Sequence, residues 1–202
     1  MASAPRLKVL FVGPSKAGKS SLATFLAGLQ DSVSPAAAPA PTVGVRILEL
    51  ERHGAAIELW DVSGDQQYEA SWPAVQQDAA AVVLIYDPEA PGQAVRVSGA
   101  SRAPRARARA RETAAATHSH ASRTPAPSQR ETELWFQWFV ERTALDVSRV
   151  ACWALSSSGA AGQTVPPAAI GGVQTETFLL RADSGEGVRR AWERLLAALC
   201  RR

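Results

Sequence analysis

Apolar and polar positions succeed one another along the chain in a pattern that predicts strands and helices in turn. The apolar run from Leu7 to Val12 has the length of a buried strand and ends at Gly13, and the spacing becomes helical in SSLATFLAGL. Two further runs, VGVRILELER and AAIELWDV, predict strands joined by a hairpin turn around His53 and Gly54. The first half of the chain therefore mixes strands with helix.

The second half continues this alternation. AAVVLIYD predicts a strand that is covered on both faces, RVACWAL and TETFLLR predict two more strands, and RETELWFQWFVERTAL and GEGVRRAWERLLAALCRR predict helices. Strands that alternate with helices predict a three-layer α/β fold with a six-stranded, mostly parallel sheet and one antiparallel hairpin. We expect residues 1–202 to form a single domain, since this is an ordinary length for one.

An insert at about 90 to 130 interrupts the pattern with Ala, Arg, Ser, Thr and Pro, which predicts disorder. Eight arginines and one glutamate between Arg96 and Arg130 give it a local charge of +7, and since the whole chain carries +3, the remainder carries −4. The basic composition thus describes the insert, and we expect no nucleic-acid binding. We interpret the insert as a solvated loop; a basic arm for acidic partners and an error in the gene model are the alternatives.

A phosphate-binding motif follows the first predicted strand. The stretch from Gly13 to Ser20 fits G-x-x-x-x-G-K-[ST] without a mismatch, and it lies between a predicted strand and a predicted helix. Glycines let backbone N–H groups approach phosphate oxygens, the lysine supplies positive charge for the β and γ phosphates, and the serine offers a hydroxyl to Mg²⁺. The predicted nucleotide-binding residues are Gly13, Pro14, Ser15, Lys16, Ala17, Gly18, Lys19, Ser20 and Ser21.

A second part of the site is predicted where AAIELWDV ends. Asp61 is placed there to hold Mg²⁺ through water, and Gly64 lets a backbone N–H turn toward a γ phosphate. LWDVSGDQ is similar to switch II of the small GTPases of the Ras superfamily, and PTVGV is similar to a Rab-type switch I. This resemblance implies that Thr42 binds the γ phosphate and Mg²⁺, so that the predicted metal ligands are Ser20, Thr42 and Asp61.

Longer stretches of sequence point to one family within that superfamily. LKVLFVGPSKAGKSSLATFL, PTVGVRILELE and IELWDVSGDQQYEASWPAVQQDAAAVVLIY resemble the Rab-like small GTPases of intraflagellar transport complex B, and the likeness covers most of the chain outside the insert. It implies the P-loop NTPase G-domain fold, binding of GTP or GDP with Mg²⁺, and docking on the coiled-coil subunits of that complex. It also implies a location in the cytoplasm and in the cilium or flagellum, at the basal body region and axoneme.

Two departures from the family pattern lower the expected activity. No N-K-x-D follows VACWAL, so Ser156 and Ser157, with Ala182 of the later RAD loop, are the residues left to meet the guanine, and we expect reduced affinity and selectivity. Asp65 stands where a glutamine orients the attacking water, and Gln66 replaces it only after a register change. We expect slow GTP hydrolysis, with Asp65 and Gln66 as the candidate catalytic residues.

Several surface features leave alternatives open. Only two residues follow Cys200, so a C-a-a-X box is missing and no lipid anchor is expected. The aromatic residues of ELWFQWFVE either pack against the sheet, the favoured interpretation, or form a docking patch, and Trp72 poses the same choice. Two rival functions are a Rab-like or Arf-like GTPase that cycles on vesicles and a scaffold that works without nucleotide.

Overall fold

The computed structural model describes residues 5–33, 39–90, 129–143, 145–156, 169–170, 172–179 and 185–201. Nearly all of the predicted insert, together with Ser157 and Ala182, lies outside these residues. The predicted disorder, the single-domain organisation and the contribution of those two residues to base binding therefore stay predictions. No helix within the described ranges is long and apolar enough to cross a membrane.

Strands and helices alternate as the sequence pattern predicts. The strands are β1 (Arg6–Val12), β2 (Val45–Arg52), β3 (Ala55–Val62), β4 (Ala79–Tyr86), β5 (Val150–Ser156), β6 (Ala169–Ile170) and β7 (Val173–Leu179). The α-helices are α1 (Lys19–Leu26), α2 (Trp72–Gln76), α3 (Gln129–Phe136) and α4 (Glu186–Cys200). Short 3-10 helices cover Gln66–Ser71 and Val147–Arg149.

The sheet has the order β2-β3-β1-β4-β5-β7-β6. β2 runs antiparallel to β3 and the two-residue β6 runs antiparallel to β7, while the other neighbours are parallel. The six predicted strands and their mostly parallel arrangement are confirmed, and β6 extends the edge. In the hairpin, Arg52 pairs with Ala55 across His53 and Gly54, both with positive φ, the conformation that a two-residue turn between twisted strands requires.

Hydrophobic cores lie on both faces of the sheet. Val9 and Phe11 of β1 belong to one buried cluster, and their neighbours Leu10 and Val12 belong to the other. Because successive side chains of a strand point to opposite faces, the two clusters cover opposite sides of the sheet. The first cluster includes residues of α1 and α4 and the second includes residues of α2 and α3, which confirms the three-layer prediction.

The aromatic residues of α3 belong to the second core. Trp135, Phe136 and Phe139 are buried, and Trp72 is wholly buried with its ring centroid 4.3 Å from that of Trp135. The favoured interpretation, packing against the sheet, is thereby confirmed for these residues, and Trp72 is not an exposed anchor. The predicted helix differs in its second half: the α-helical hydrogen bonding ends at Phe136 and a π-helical turn continues over Gln137–Glu141.

Candidate nucleotide and metal site

The phosphate-binding motif forms a tight loop between β1 and α1. Gly13 has φ +139, and a Cβ at this position would lie 1.9 Å from the carbonyl oxygen of Ile85, so a side chain does not fit there. Lys16 and Gly18 also have positive φ, and Gly18 is the residue that precedes the first turn of α1. The loop thus takes the wrapped backbone conformation that lets N–H groups surround an anion at a helix N-terminus.

Lys19 is held inside this loop. Its side chain is buried, and Nζ donates hydrogen bonds to the carbonyl oxygens of Gly13 at 2.8 Å and Pro14 at 2.6 Å. These two contacts fix a positive charge within the loop. The residues from Ser15 to Ser21 line one cavity of about 590 Å³, a size typical of small-molecule sites.

Three oxygen-bearing side chains from different elements converge beside the loop. Ser20 Oγ of α1 lies 2.8 Å from Thr42 Oγ1 and 3.2 Å from Asp61 Oδ1 at the end of β3. Thr42 Oγ1 donates to Asp61 Oδ2 at 2.9 Å, and Asp61 is completely buried. The structure therefore brings together all three side chains that were predicted as metal ligands.

The spacing of these oxygens fits Mg²⁺. Ser20 Oγ and Thr42 Oγ1 are 2.8 Å apart, close to the roughly 2.9 Å between adjacent ligands of an octahedral Mg²⁺ with metal–oxygen distances of about 2.0–2.1 Å. Asp61 accepts hydrogen bonds from both hydroxyl groups, as it would from a metal-bound water. Among the residues that the structure describes, no three His, Cys, Asp or Glu side chains cluster in a way that would hold a metal. An ion at this site would accordingly rely on two hydroxyl groups and one carboxylate.

Gly64 brings the chain after β3 against the phosphate-binding loop. A Cβ on Gly64 would lie 2.4 Å from the backbone nitrogen of Ser15 and 2.6 Å from the carbonyl carbon of Pro14. Ser63 N donates to Gly44 O at 2.8 Å, which ties the same segment to the loop that carries Thr42. The predicted contact of Gly64 with the phosphate site thus has a steric basis in the structure.

The two candidate catalytic residues, Asp65 and Gln66, take different places. Asp65 caps the 3-10 helix that follows it: Oδ1 accepts from Gln67 N at 3.0 Å and Oδ2 accepts from Gln67 Nε2 at 2.6 Å. Asp65 and Gln67 both line the cavity, and Gln66 is exposed. Gln67 was missed by sequence reasoning; the signal for it was the capping position of Asp65, which directs the second residue after it back toward the carboxylate.

The carboxyl ends of β4 and β5 also contribute to the cavity. Asp87 and Leu155 line it there, and neither was predicted from the sequence. Ser156 is buried, and its hydroxyl donates to Glu89 Oε1 at 2.6 Å. Among the described residues, Ser156 is thus committed to Glu89 and does not line the cavity, so its predicted direct contact with the base is not seen in this arrangement.

Comparisons with known proteins agree with this geometry. The family model described as Ras of Complex, Roc, domain of DAPkinase matches residues 8–100. The intraflagellar transport protein 22 homolog of Danio rerio is 39% identical over 95 residues, which cover 43% of this chain and 50% of that protein. The human homolog is 40% identical over 95 residues, which cover 43% of this chain and 49% of that protein. The chain thus spans about half the length of the curated relatives that it matches.

A solved structure matches over a longer range. The GTP-bound crystal structure of T. brucei IFT22/74/81 superimposes with a TM-score of 0.63 at 25% sequence identity, covering 96% of this chain and 94% of that chain. The fold and the phosphate-binding loop, together with the convergence of Ser20, Thr42 and Asp61, define a Ras-like G domain of the P-loop class. Within that class, the matched stretch of the chain is similar to the proteins named intraflagellar transport protein 22, which confirms the resemblance to the Rab-like small GTPases of intraflagellar transport.

Proposed function

We propose that this protein binds GTP or GDP with Mg²⁺ and uses the bound nucleotide to set the shape of a docking surface in the intraflagellar transport B particle. The observation that carries the proposal is the convergence of Ser20, Thr42 and Asp61 next to the Lys19 loop. A phosphate chain in the loop and a metal at the three oxygens would share one cavity. The GTP-bound state of the related T. brucei structure supports the choice of guanine nucleotide.

Each residue of the site has a separate task in this proposal. The N–H groups of the phosphate-binding loop and the Lys19 ammonium bind phosphate oxygens, and Mg²⁺, when bound, neutralises charge on the β and γ phosphates. Thr42 orients the loop before β2 toward the phosphates, and Gly64 lets the segment after β3 approach them. Since Ser63 is hydrogen-bonded to Gly44, movement of one segment is passed to the other.

We propose that hydrolysis at this site is slow. Both carboxylate oxygens of Asp65 accept hydrogen bonds from Gln67, so Asp65 stabilises the start of a 3-10 helix. A carboxylate also accepts hydrogen bonds only, whereas a glutamine both donates to and accepts from the attacking water. Replacing Asp65 by Gln tests this point: single-turnover hydrolysis should become faster in the variant, and an unchanged rate would contradict the assignment.

The proposed partners are the coiled-coil subunits of the transport B particle, and the proposed location is the cytoplasm and the cilium or flagellum, at the basal body region and axoneme. The support is similarity alone. The matched relatives carry intraflagellar transport names, and the similar T. brucei structure is that of IFT22 together with IFT74 and IFT81. The particle would then receive a subunit whose surface depends on the nucleotide that it holds.

The experiment that tests the proposal joins nucleotide binding to docking. Purified protein loaded with GTP, with GDP or with neither is mixed with the paired coiled-coil subunits, and the complex is measured by analytical size exclusion. We expect the GTP-loaded protein to bind most tightly. Lys19→Ala should lose about 3 kcal/mol of nucleotide binding, roughly 100-fold, because it removes charge-assisted hydrogen bonds.

A charge-matched control separates this effect from a general change in charge. Arg6→Ala removes one positive charge from an exposed ion pair with Glu58, remote from the cavity, and should bind nucleotide and partner normally. Equal docking of Lys19→Ala and the unmodified protein, despite lost nucleotide binding, would favour a scaffold that works without nucleotide.

A further inference from the structure

A second positively charged side chain, besides Lys19, lies beside the candidate metal site, and the proposed function does not use it. Arg46 of β2 pairs in register with Asp61 of β3, and its Nη2 lies 3.2 Å from Asp61 Oδ2. The carboxylate of Asp61 is completely buried, whereas the Arg46 side chain is 35% exposed. Because a buried carboxylate is costly unless it is paired and hydrogen-bonded, the guanidinium together with two hydroxyl groups accounts for how Asp61 is accommodated.

One nitrogen of the guanidinium, Nη2, is anchored by groups of α1. Arg46 Nη2 also donates to Ser20 O at 3.1 Å and to Thr24 Oγ1 at 3.0 Å, both in α1. Thr24 Oγ1 in turn donates to Ser20 O at 2.7 Å. These anchors belong to the helix that begins in the phosphate-binding loop. Arg46 therefore keeps its position beside Asp61 through contacts that involve no nucleotide.

This placement affects how a metal would be held. Asp61 Oδ2 accepts a hydrogen bond from Thr42 and lies 3.2 Å from Arg46 Nη2, so its negative charge is already balanced by a fixed positive charge. A divalent cation that approaches the same carboxylate is attracted less strongly and is repelled by the guanidinium. Arg46 is not a lining residue of the cavity, but because its guanidinium neutralises Asp61, a nucleotide phosphate would meet no uncompensated carboxylate there when no metal is bound.

We infer that Arg46 is an internal cation of the nucleotide site that replaces part of the role of Mg²⁺, so that a guanine nucleotide stays bound after the metal is removed. This inference rests on the proposed nucleotide-binding function. It assigns Arg46 as a positioning residue that acts through Asp61. Its consequence is a protein whose nucleotide exchange responds weakly to the concentration of free Mg²⁺.

The test measures release of a fluorescent GDP analogue from the loaded protein, in excess Mg²⁺ and in excess EDTA, with unlabelled GDP as competitor. For the unmodified protein we expect the two rates to agree within about threefold, because Arg46 remains when the metal leaves. For Arg46→Gln we expect EDTA to accelerate release by about tenfold or more, and Mg²⁺ to be bound more tightly when it is titrated against the loaded protein.

Two further variants make the result specific. Arg52→Gln removes an exposed arginine from the other end of the same strand, 3.8 Å from Glu193, and should release nucleotide as the unmodified protein does. Arg46→Lys keeps the charge and should remain insensitive to EDTA. The measurement on the unmodified protein stands even where Arg46→Gln fails to fold.

The outcomes distinguish the inference from the function beneath it. Release from the unmodified protein that EDTA accelerates tenfold or more would overturn the inference and leave the proposed function intact. A protein that holds no guanine nucleotide even in excess Mg²⁺ would overturn both.

Discussion

Replacing Gly64 by alanine should damage the phosphate site through a single steric conflict. The added Cβ would lie 2.4 Å from Ser15 N, whereas ordinary contacts begin at 3.4 Å, so the phosphate-binding loop or the segment after β3 must move by about 1 Å. Gly64 has no positive φ, so backbone strain adds nothing to this cost. Overpacking of this kind costs about 1–3 kcal/mol, and we expect a GTP affinity roughly 10-fold to 100-fold lower.

The assay is calorimetric titration of the variant with GTP and Mg²⁺, with thermal unfolding recorded in parallel. Gly28→Ala is the matched control: a Cβ there meets no atom within 4 Å, but φ is +76, so it costs about 1 kcal/mol of stability through backbone strain and should leave GTP affinity unchanged. An affinity of Gly64→Ala within twofold of the unmodified protein would refute the steric argument.

Trp72→Ala should lower the free energy of unfolding by about 3–5 kcal/mol in urea denaturation, because it empties a core position against Trp135. Leu29→Ala, at an exposed site, should change it by under about 0.5 kcal/mol, and a loss below about 1 kcal/mol for Trp72→Ala would contradict the packing. Burial raises the pKa of Cys152 from 9.0 to about 12, so the folded thiol stays neutral at a pH where the unfolded thiol ionises. Stability should therefore fall as pH rises above 9, by about 1 kcal/mol at pH 10, and Cys152→Ala should reduce that slope, as urea denaturation at each pH measures. A thiol reagent at neutral pH should modify the partly buried Cys200 well before Cys152, and equal rates would contradict the burial.

The phosphate-binding loop was predictable because its backbone demands particular residues. A Cβ at Gly13 collides with β4 and Gly18 needs a positive φ, so the glycine spacing reflects local geometry. β1, β4 and β5 were predictable because their apolar runs of strand length are mostly buried between layers of helix. β2 has no buried residue and was predictable from the hairpin turn that joins it to β3. The convergence of Thr42 with Asp61 came only from resemblance, because the two residues are far apart in the sequence.

Other parts of the site depend on tertiary contacts. Whether Asp65 faces a phosphate or caps a helix is decided by the 3-10 turn after it, and Ser156 is directed by Glu89 from another strand end. Arg46 was missed although the sequence holds a signal for it. The two-residue turn places Arg52 opposite Ala55, and six further pairs along the hairpin bring Arg46 opposite Asp61.

The proposed function requires that the Lys19 loop holds a guanine nucleotide. Calorimetric titration of nucleotide-free protein with GTP, GDP and ATP, each with Mg²⁺, tests this requirement when Lys19→Ala is titrated alongside. We expect micromolar or tighter binding of GTP and GDP, weaker binding of ATP, and roughly 100-fold weaker binding by the variant. Equal binding of ATP and GTP, or the same affinity in Lys19→Ala, would contradict it.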